Sequence, residues 1–409
     1  MIPNFDKTFF KTQSEKYELG GGAYEYSFDG VSLDGCLNYA RTLENSGFRL
    51  YSENRIDENR FFIYVRDDTA VGLSFYPSIT HDRYDFFVKK PNGRTNYDAP
   101  TLIGSETKSF IKLSVFPTSY LPDSQASAYK KLTDATVTQV APAVGDNGMS
   151  YVIQLEDGSF LIVDGGLGRG DSKECLMSLL ESMKPSEHQK PRVNWLFTHA
   201  HPDHIALPLY FIREYSDRVD NLMAAYNFVN EEADCQYTAT FRDGNRLGTA
   251  ALMREIERVR MRKVALKTGQ SFCMAGCRID VLITQEDIFP RPLGTINAAS
   301  CIVKLTFTSG DKQRSLMILG DTNENSASFV NSAYSPDTLR CDIVQAAHHA
   351  VTASRGGVEL TRLYRSIAPD TVLCPNFEQT VTDADFSPNK VMAGATWIYH
   401  DKTHTISIF

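Results

Sequence analysis

One heptapeptide constrains this chain more than any other: Thr198-His199-Ala200-His201-Pro202-Asp203-His204. Three of the nine histidines fall within six residues, with a carboxylate between the second and third. Just upstream, Val193-Asn194-Trp195-Leu196-Phe197 is an apolar run that reads as a buried strand. A strand that delivers His-x-His-x-Asp-His into a loop offers what a metal ion needs. Imidazole nitrogens suit zinc and similar ions, and the carboxylate adds a harder oxygen donor. Pro202 argues against a helix running through the motif, so the expectation is a set of ligands carried on a turn.

Three more strand ends repeat this grammar. Leu161-Ile162-Val163-Asp164-Gly165-Gly166 ends in Asp-Gly-Gly, where glycines permit tight backbone next to a site. Leu316–Leu319 runs into Gly320-Asp321, and an aspartate there has two oxygens with which to bridge two cations. The alternative for Asp321 is the N-cap of a following helix. Asp342–Ala346 runs into Ala347-His348-His349. If strand geometry persists there, the two histidines point in opposite directions, one to a metal and one to substrate.

The chain organises into two parts. Residues 1–128 read as a small α/β (α+β) unit. Its helix carries Leu33, Leu37, Ala40 and Leu43, and strands follow at Phe48–Tyr51, Arg60–Val65, Ala70–Tyr76 and Tyr84–Val88. From residue 129 to residue 409 strands and helices alternate, with helices at Ser172–Met183, Pro208–Tyr215, Gly248–Arg262 and Val358–Ile367. That pattern suggests sheets between helical layers, and periodicity leaves a doubly wound single sheet equally open.

The order Asp-Gly-Gly, His-x-His-x-Asp-His, Gly-Asp and His-His after strands resembles the metallo-β-lactamase superfamily over about Asp134 to Phe409. Within it the match is to the hydrolase domain of the ComEC DNA-uptake protein and its stand-alone relatives. Asn297-Ala298-Ala299-Ser300 is similar to their Asn-x-x-Ser strand entry. His348-His349-Ala350-Val351 is an altered form of their His-His-Gly-Ser, and Lys267–Phe272 is similar to their Gly-containing turn. The resemblance implies an αββα sandwich with metals at the rim between its sheets. It implies His199, His201, Asp203, His204, Asp321 and His348 as metal ligands, and Asp203 and His349 as catalytic groups. Asp164, Asn297 and Ser300 then serve substrate or structure. No histidine lies between His204 and His348, so the His199/His201 site is expected to be one donor short, whereas Asp203, His204, Asp321 and His348 form the well-supplied one.

The expected function is hydrolysis by a metal-bound hydroxide, on one or two divalent cations, zinc foremost with manganese or iron as alternatives. A phosphodiester-type or other small-molecule substrate fits best. The rivals are a lactone or other ester hydrolase, and a metal-binding interaction protein without turnover. A net charge of −8 disfavours nucleic acid as partner. No apolar run long enough for a membrane span and no signal-peptide layout are present, so the expected location is cytoplasmic. Oligomeric state is not legible.

Overall fold

The computed structural model describes residues 2–3, 15–20, 23–85, 101–123, 127–143, 148–227, 246–287, 295–350, 357–382 and 391–409. The first of its three sheets is built from β1 (Glu15–Gly20), β2 (Ala23–Asp29), β3 (Arg49–Ile56), β4 (Asn59–Arg66), β5 (Thr69–Asp85) and β6 (Thr101–Pro117). They lie in the order β1-β2-β6-β5-β4-β3. Helix α1 (Leu33–Asn45) starts where Ser32 accepts a hydrogen bond from Gly35 N, and it buries Cys36, Tyr39, Ala40 and Leu43 at helical spacing. Sequence reading splits β5 into two strands at Ala70–Tyr76 and from Tyr84. The structure makes it one 17-residue strand paired along β6, with register shifts at Tyr76/Ile79 and Arg83/Tyr84. Residues 86–88 of the second expected strand lie outside the described residues.

Two seven-stranded sheets follow. The first holds β7 (Thr136–Gln139), β8 (Ser150–Gln154), β9 (Phe160–Asp164), β10 (Arg192–Leu196), β11 (Asp220–Tyr226) and β12 (Arg262–Ala265). The second holds β13 (Ser271–Met274), β14 (Cys277–Ile283), β15 (Ile302–Ser309), β16 (Lys312–Ile318), β17 (Ile343–Gln345), β18 (Thr371–Cys374) and β19 (Thr396–Tyr399). The last strand, β20 (His404–Ser407), returns to the first sheet beside β7. The strands read as continuous apolar runs because both faces are covered. On β9, Leu161 and Val163 enter the core between the sheets, where they meet Ile279, Val303, Leu305 and Ile318. Phe160 and Ile162 face the other way, against α2 (Ser172–Met183), α3 (Pro202–Tyr215) and α4 (Arg246–Arg258). On the outer side of the second sheet, Met317, Val344 and Val372 pack on α5 (Glu324–Ala333) and α7 (Val358–Ile367), with the short α6 (Pro336–Leu339) between them in sequence. The architecture is a four-layer αββα sandwich plus a separate six-stranded sheet. α8 (Glu378–Thr382) completes the described helices. None of these helices is long and apolar enough to cross a membrane.

The N-terminal sheet docks on the sandwich through polar as well as apolar contacts. Phe61, Tyr76, Ile79 and Phe110 join the core around α5. Asn59 Nδ2 donates to Ala333 O at 2.7 Å, and Asp57 accepts from Ser335 N, Ser335 Oγ and Thr338 Oγ1. Gly269, at φ +83°, sits so close to Phe61 that a Cβ would stand 2.0 Å from its ring; only glycine fits both the backbone and the approach. Behind this turn lies a buried charge cluster. Lys112 Nζ stands 2.7 Å from Asp287 Oδ1 and 3.8 Å from Glu286 Oε2, and Lys267 pairs with Glu286. Tyr76 donates to Asp287 Oδ1 at 3.0 Å.

Burial alone would raise the Glu286 carboxyl, but Lys267 and Lys112 outweigh it and hold its pKa below the usual value. A depressed folded pKa gives stability that is present above the unfolded value of about 4.3 and is lost as pH falls through the folded one. Glu286→Gln should therefore cost about 3 kcal/mol at pH 7 by leaving buried lysine charge uncompensated. The gap between wild-type and variant melting temperatures should shrink as the pH falls from 5 towards 3. Thermal melts across that range check it; a gap independent of pH contradicts this account.

Candidate metal centre

The site forms where strand ends from both sheets meet at one rim. β10 delivers the chain to Thr198 and His199. His201 is the extended residue before α3, and Pro202 is the first helical position. The expected turn is thus corrected in part: His199 and His201 precede the helix, whereas Asp203 and His204 occupy its first turn. Proline there is favourable, because the first helical N–H has no partner to lose. The helix start expected at Pro208 moves six residues earlier for the same reason.

Asp164, at the end of β9, holds this motif in place. It is fully buried and accepts from Thr198 N at 2.9 Å, Thr198 Oγ1 at 2.7 Å and His204 Nδ1 at 2.8 Å. With its proton given to Asp164, the Thr198 hydroxyl oxygen accepts from His199 Nδ1 at 3.0 Å. One carboxylate therefore fixes two imidazoles with their Nε2 atoms turned into the site. The glycines after Asp164 allow close packing: a Cβ on Gly165 would meet Pro208 of α3 at 2.4 Å.

Asp321 follows β16 and is not a helix cap. Asn323 performs that function for α5, accepting from Ser326 N. The Asp321 backbone N donates to Ser300 Oγ at 3.0 Å. Gly320, at φ +56°, lets Thr198 and Ser300 approach within contact of its Cα, since a Cβ would lie 2.8 Å from Thr198 Cβ. Asp321 Oδ2 lies 3.7 Å from His199 Nε2 and 3.9 Å from His348 Nε2. Its Oδ1 lies 3.3 Å from His204 Nε2 and 3.7 Å from His349 Nε2. The two oxygens of one carboxylate thus face two histidine groups.

The histidine pair does not continue β17. Residues 347–350 form a tight turn in which His348, His349 and Ala350 all have φ near +50°. Such geometry costs about 1–2 kcal/mol per non-glycine residue. The turn is locked by His348 N donating to Gly320 O, Ala347 N to Tyr364 Oη and Asn376 Nδ2 to His349 O. In place of opposite faces of a strand, the turn sends both rings to the rim. His349 Nε2 lies 3.3 Å from Asp203 Oδ2 and 3.3 Å from His204 Nε2. His348 lies on the other side, its Nε2 paired with Asn297 Nδ2 at 3.1 Å. His199 and His201 gather with Asp321 in one group and Asp203 and His204 with His349 in the other, so His349 stands where the sequence reading put His348. His348 faces the same Asp321 oxygen as His199, the group in which sequence reading found a donor missing.

The donor set fits a divalent cation. His199 Nε2 and His201 Nδ1 face each other at 3.1 Å, with the His199 proton already committed to Thr198. Asp321 Oδ1 is buried with no hydrogen bond of normal geometry. Buried nitrogens and oxygens converging in this way are the N/O environment of zinc-like ions. Burial and the neighbouring imidazoles push the His199 pKa well down, towards the neutral form that binds metal. Asp321 and Asp203 are held well below the usual carboxylate range: burial opposes this, and the surrounding histidines outweigh it. His204 moves the opposite way, raised against burial by Asp321 and Asp164.

Sequence reading missed Thr198, although it begins the heptapeptide, along with Gln345, Tyr364 and Asn376, which brace the rim. Thr352 and Ser354, candidates for the hydroxyl lost from the His-His-Gly-Ser pattern, lie outside the described residues. Around α4, Arg258 and Arg213 pair with Glu255, Lys263 with Glu257 and Arg262 with Asp123.

No family model and no curated protein matches the chain. Solved structures do resemble it. The metallo-beta-lactamase fold protein YhfI from Bacillus subtilis aligns at 13% identity and a TM-score of 0.41, over 67% of this chain and 99% of that one. A long form RNase Z from yeast aligns at 11% and 0.39, over 69% and 42%. Unliganded yeast PDE1 aligns at 11% and 0.39, over 67% and 100%.

Asp164 touches the candidate ligands but offers the site no free donor. Asp164→Asn should leave the fold intact and weaken zinc binding about 10–100-fold by loosening the His204 and His199 rings. Competition against a chromophoric chelator measures it; unchanged affinity contradicts the positioning role.

Proposed function

We propose that this protein is a metal-dependent hydrolase acting on phosphodiester-type substrates, in the manner its ComEC-like motifs imply. The observation that carries the reading is Asp321, whose two oxygens face two separate histidine groups. A divalent cation held there, zinc foremost, would lower the pKa of a water towards about 7 and polarise a phosphoryl oxygen. Two histidine groups on either side of one carboxylate would let two cations act on a reacting centre carrying two free oxygens, and this favours a phosphodiester over a lactone.

The chain's own residues divide the remaining work. His199, His201, Asp203, His204, Asp321 and one or both of His348 and His349 hold the metal. Asp203, kept ionised by its hydrogen bond to His349 and the charge of His204, orients the attacking water and accepts its proton. His348 is the more open of the pair, its side chain 15% exposed against 6% for His349. With the Asn297 amide beside it, His348 faces the leaving oxygen. This gives to His348 the substrate role that the sequence assigned to His349.

Metal-replete protein should hydrolyse bis-p-nitrophenyl phosphate, and Asp203→Ala should lower metal-stimulated turnover at least about 10²-fold. A parallel assay with a lactone and with single-stranded DNA separates the substrate classes. Turnover of the lactone alone would exclude the phosphodiester reading, and unchanged turnover in the variant would exclude the role of Asp203.

A further inference from the structure

The second seven-stranded sheet lays out its part of the site in a row. β16, β17, β18 and β19 are adjacent and parallel, so their carboxyl ends open on one rim. Such ends are where sheets of parallel strands place their ligands. Asp321 stands three residues past the end of β16, and His348 three past the end of β17. The next strand in the row, β18, ends at Cys374, and the residue three past it is Phe377. Adjacent strands lie about 4.8 Å apart, so Phe377 is one strand from the histidine pair and about 10 Å along the rim from Asp321.

Phe377 is large and apolar, yet 41% exposed. A single exposed apolar residue is ordinary in itself. This one is held in a set place. Its ring packs at 65° against the ring of His400, with centroids 4.5 Å apart, and His400 is buried at the end of the next strand, β19. The Phe377 backbone N donates to Asn376 Oδ1 at 2.8 Å, and its carbonyl accepts from Val381 N. Asn376 is also the residue whose amide donates to His349 O and whose carbonyl accepts from His400 N. One residue thus ties the exposed ring to the His348–Ala350 turn. An aromatic side chain ordered in advance loses little entropy when a flat group stacks on it.

We propose that Phe377 is a specificity residue of the histidine site: its exposed ring is the platform on which a flat aromatic group of the substrate stacks. This rests on the phosphodiester reading above. The spacing sets the reach. A ring bonded to phosphorus through one ester oxygen stops short of about 10 Å, and a ring carried on an intervening sugar spans it. The substrate class is therefore a small phosphodiester of nucleoside type, with its base on Phe377. A net charge of −8 opposes a long polyanion far more than a single phosphodiester.

Adenosine 5′-monophosphate and ribose 5-phosphate share sugar and phosphate and differ in the base. Each is titrated by calorimetry into the zinc-loaded full-length protein. The adenosine ligand should bind at least about fivefold more tightly, the low end of what a base stacked on an aromatic side chain contributes. Phe377→Ala should bring it to the affinity of ribose 5-phosphate, while the affinity for ribose 5-phosphate, the zinc content and the melting temperature stay unchanged. Phe377→Trp should keep the preference. Equal affinities in the wild type, no saturable binding of the adenosine ligand, or a preference that survives Phe377→Ala overturns the proposal. Equal weakening of both ligands in Phe377→Ala overturns it too, since the ring would then only support the fold. Should Phe377→Ala fail to fold, Phe377→Leu, which keeps bulk without a flat ring, carries the same test. Turnover of bis-p-nitrophenyl phosphate is followed alongside. Its absence with the base preference intact contradicts the hydrolase reading alone, and its presence without that preference contradicts the stacking role alone.

Discussion

The Asp164 carboxylate is the contact on which the rest of the rim depends. It is buried at the end of β9 and accepts three hydrogen bonds from the adjacent strand end and helix. Burial pushes its pKa up, and His204 and Thr198 oppose that push. This carboxylate is inaccessible to solvent, so its whole effect is on neighbours. Through Thr198 it sets the tautomer of His199, and directly it sets that of His204. Two imidazoles with defined tautomers then confront Asp321, and the geometry of both histidine groups follows.

The opposite wall of the rim uses strain. Three consecutive left-handed residues, His348 to Ala350, persist only because the surroundings over-determine them. Gly320 O, Tyr364 Oη and the Asn376 amide supply that over-determination. The result sends two sequence-adjacent rings to the two sides of Asp321, which neither a regular strand nor a regular helix achieves at one-residue spacing. Gly320 serves the same end from beneath, since any side chain there would separate Thr198 from Ser300.

How much of this was legible in the sequence follows from which signals are local. Apolar runs buried on both faces, such as Leu161–Val163 and Leu316–Leu319, announce strands, and their terminal aspartates announce a rim. The helix start at Pro202 was misread because proline breaks helix interiors yet suits a first position, and only the chain's direction distinguishes the two. The handedness of the His348–Ala350 turn had no sequence signal at all, for no glycine marks it. The roles of Gln345, Tyr364 and Asn376 depend on contacts between residues distant in sequence, and no local pattern encodes those. In the N-terminal unit, polar Lys112 and Ser114 alternate with apolar Ile111 and Leu113 as a solvent-facing strand edge would. A second surface covers them instead.

That covering surface links the two parts of the molecule. An apolar joint alone tolerates sliding, because dispersion and burial are non-directional. The joint between β4–β6 and the sandwich combines apolar contact with directional bonds: Asn54 Nδ2 to Gly269 O at 2.9 Å, Asn59 to Ala333 O, and Tyr76 to Asp287. Displacing the N-terminal sheet would take Lys112 and Tyr76 away from Asp287 and remove the ion pair of that buried carboxylate, and unpaired buried charge is strongly unfavourable. The segment Lys267 to Asp287 includes β13 and β14, and β14 pairs directly with β15. β15 follows Asn297 and Ser300, the residues that touch His348 and the Asp321 backbone. The N-terminal sheet is therefore more than an appendage to the αββα sandwich. Its buried charges fix one end of the structural run whose other end braces the rim.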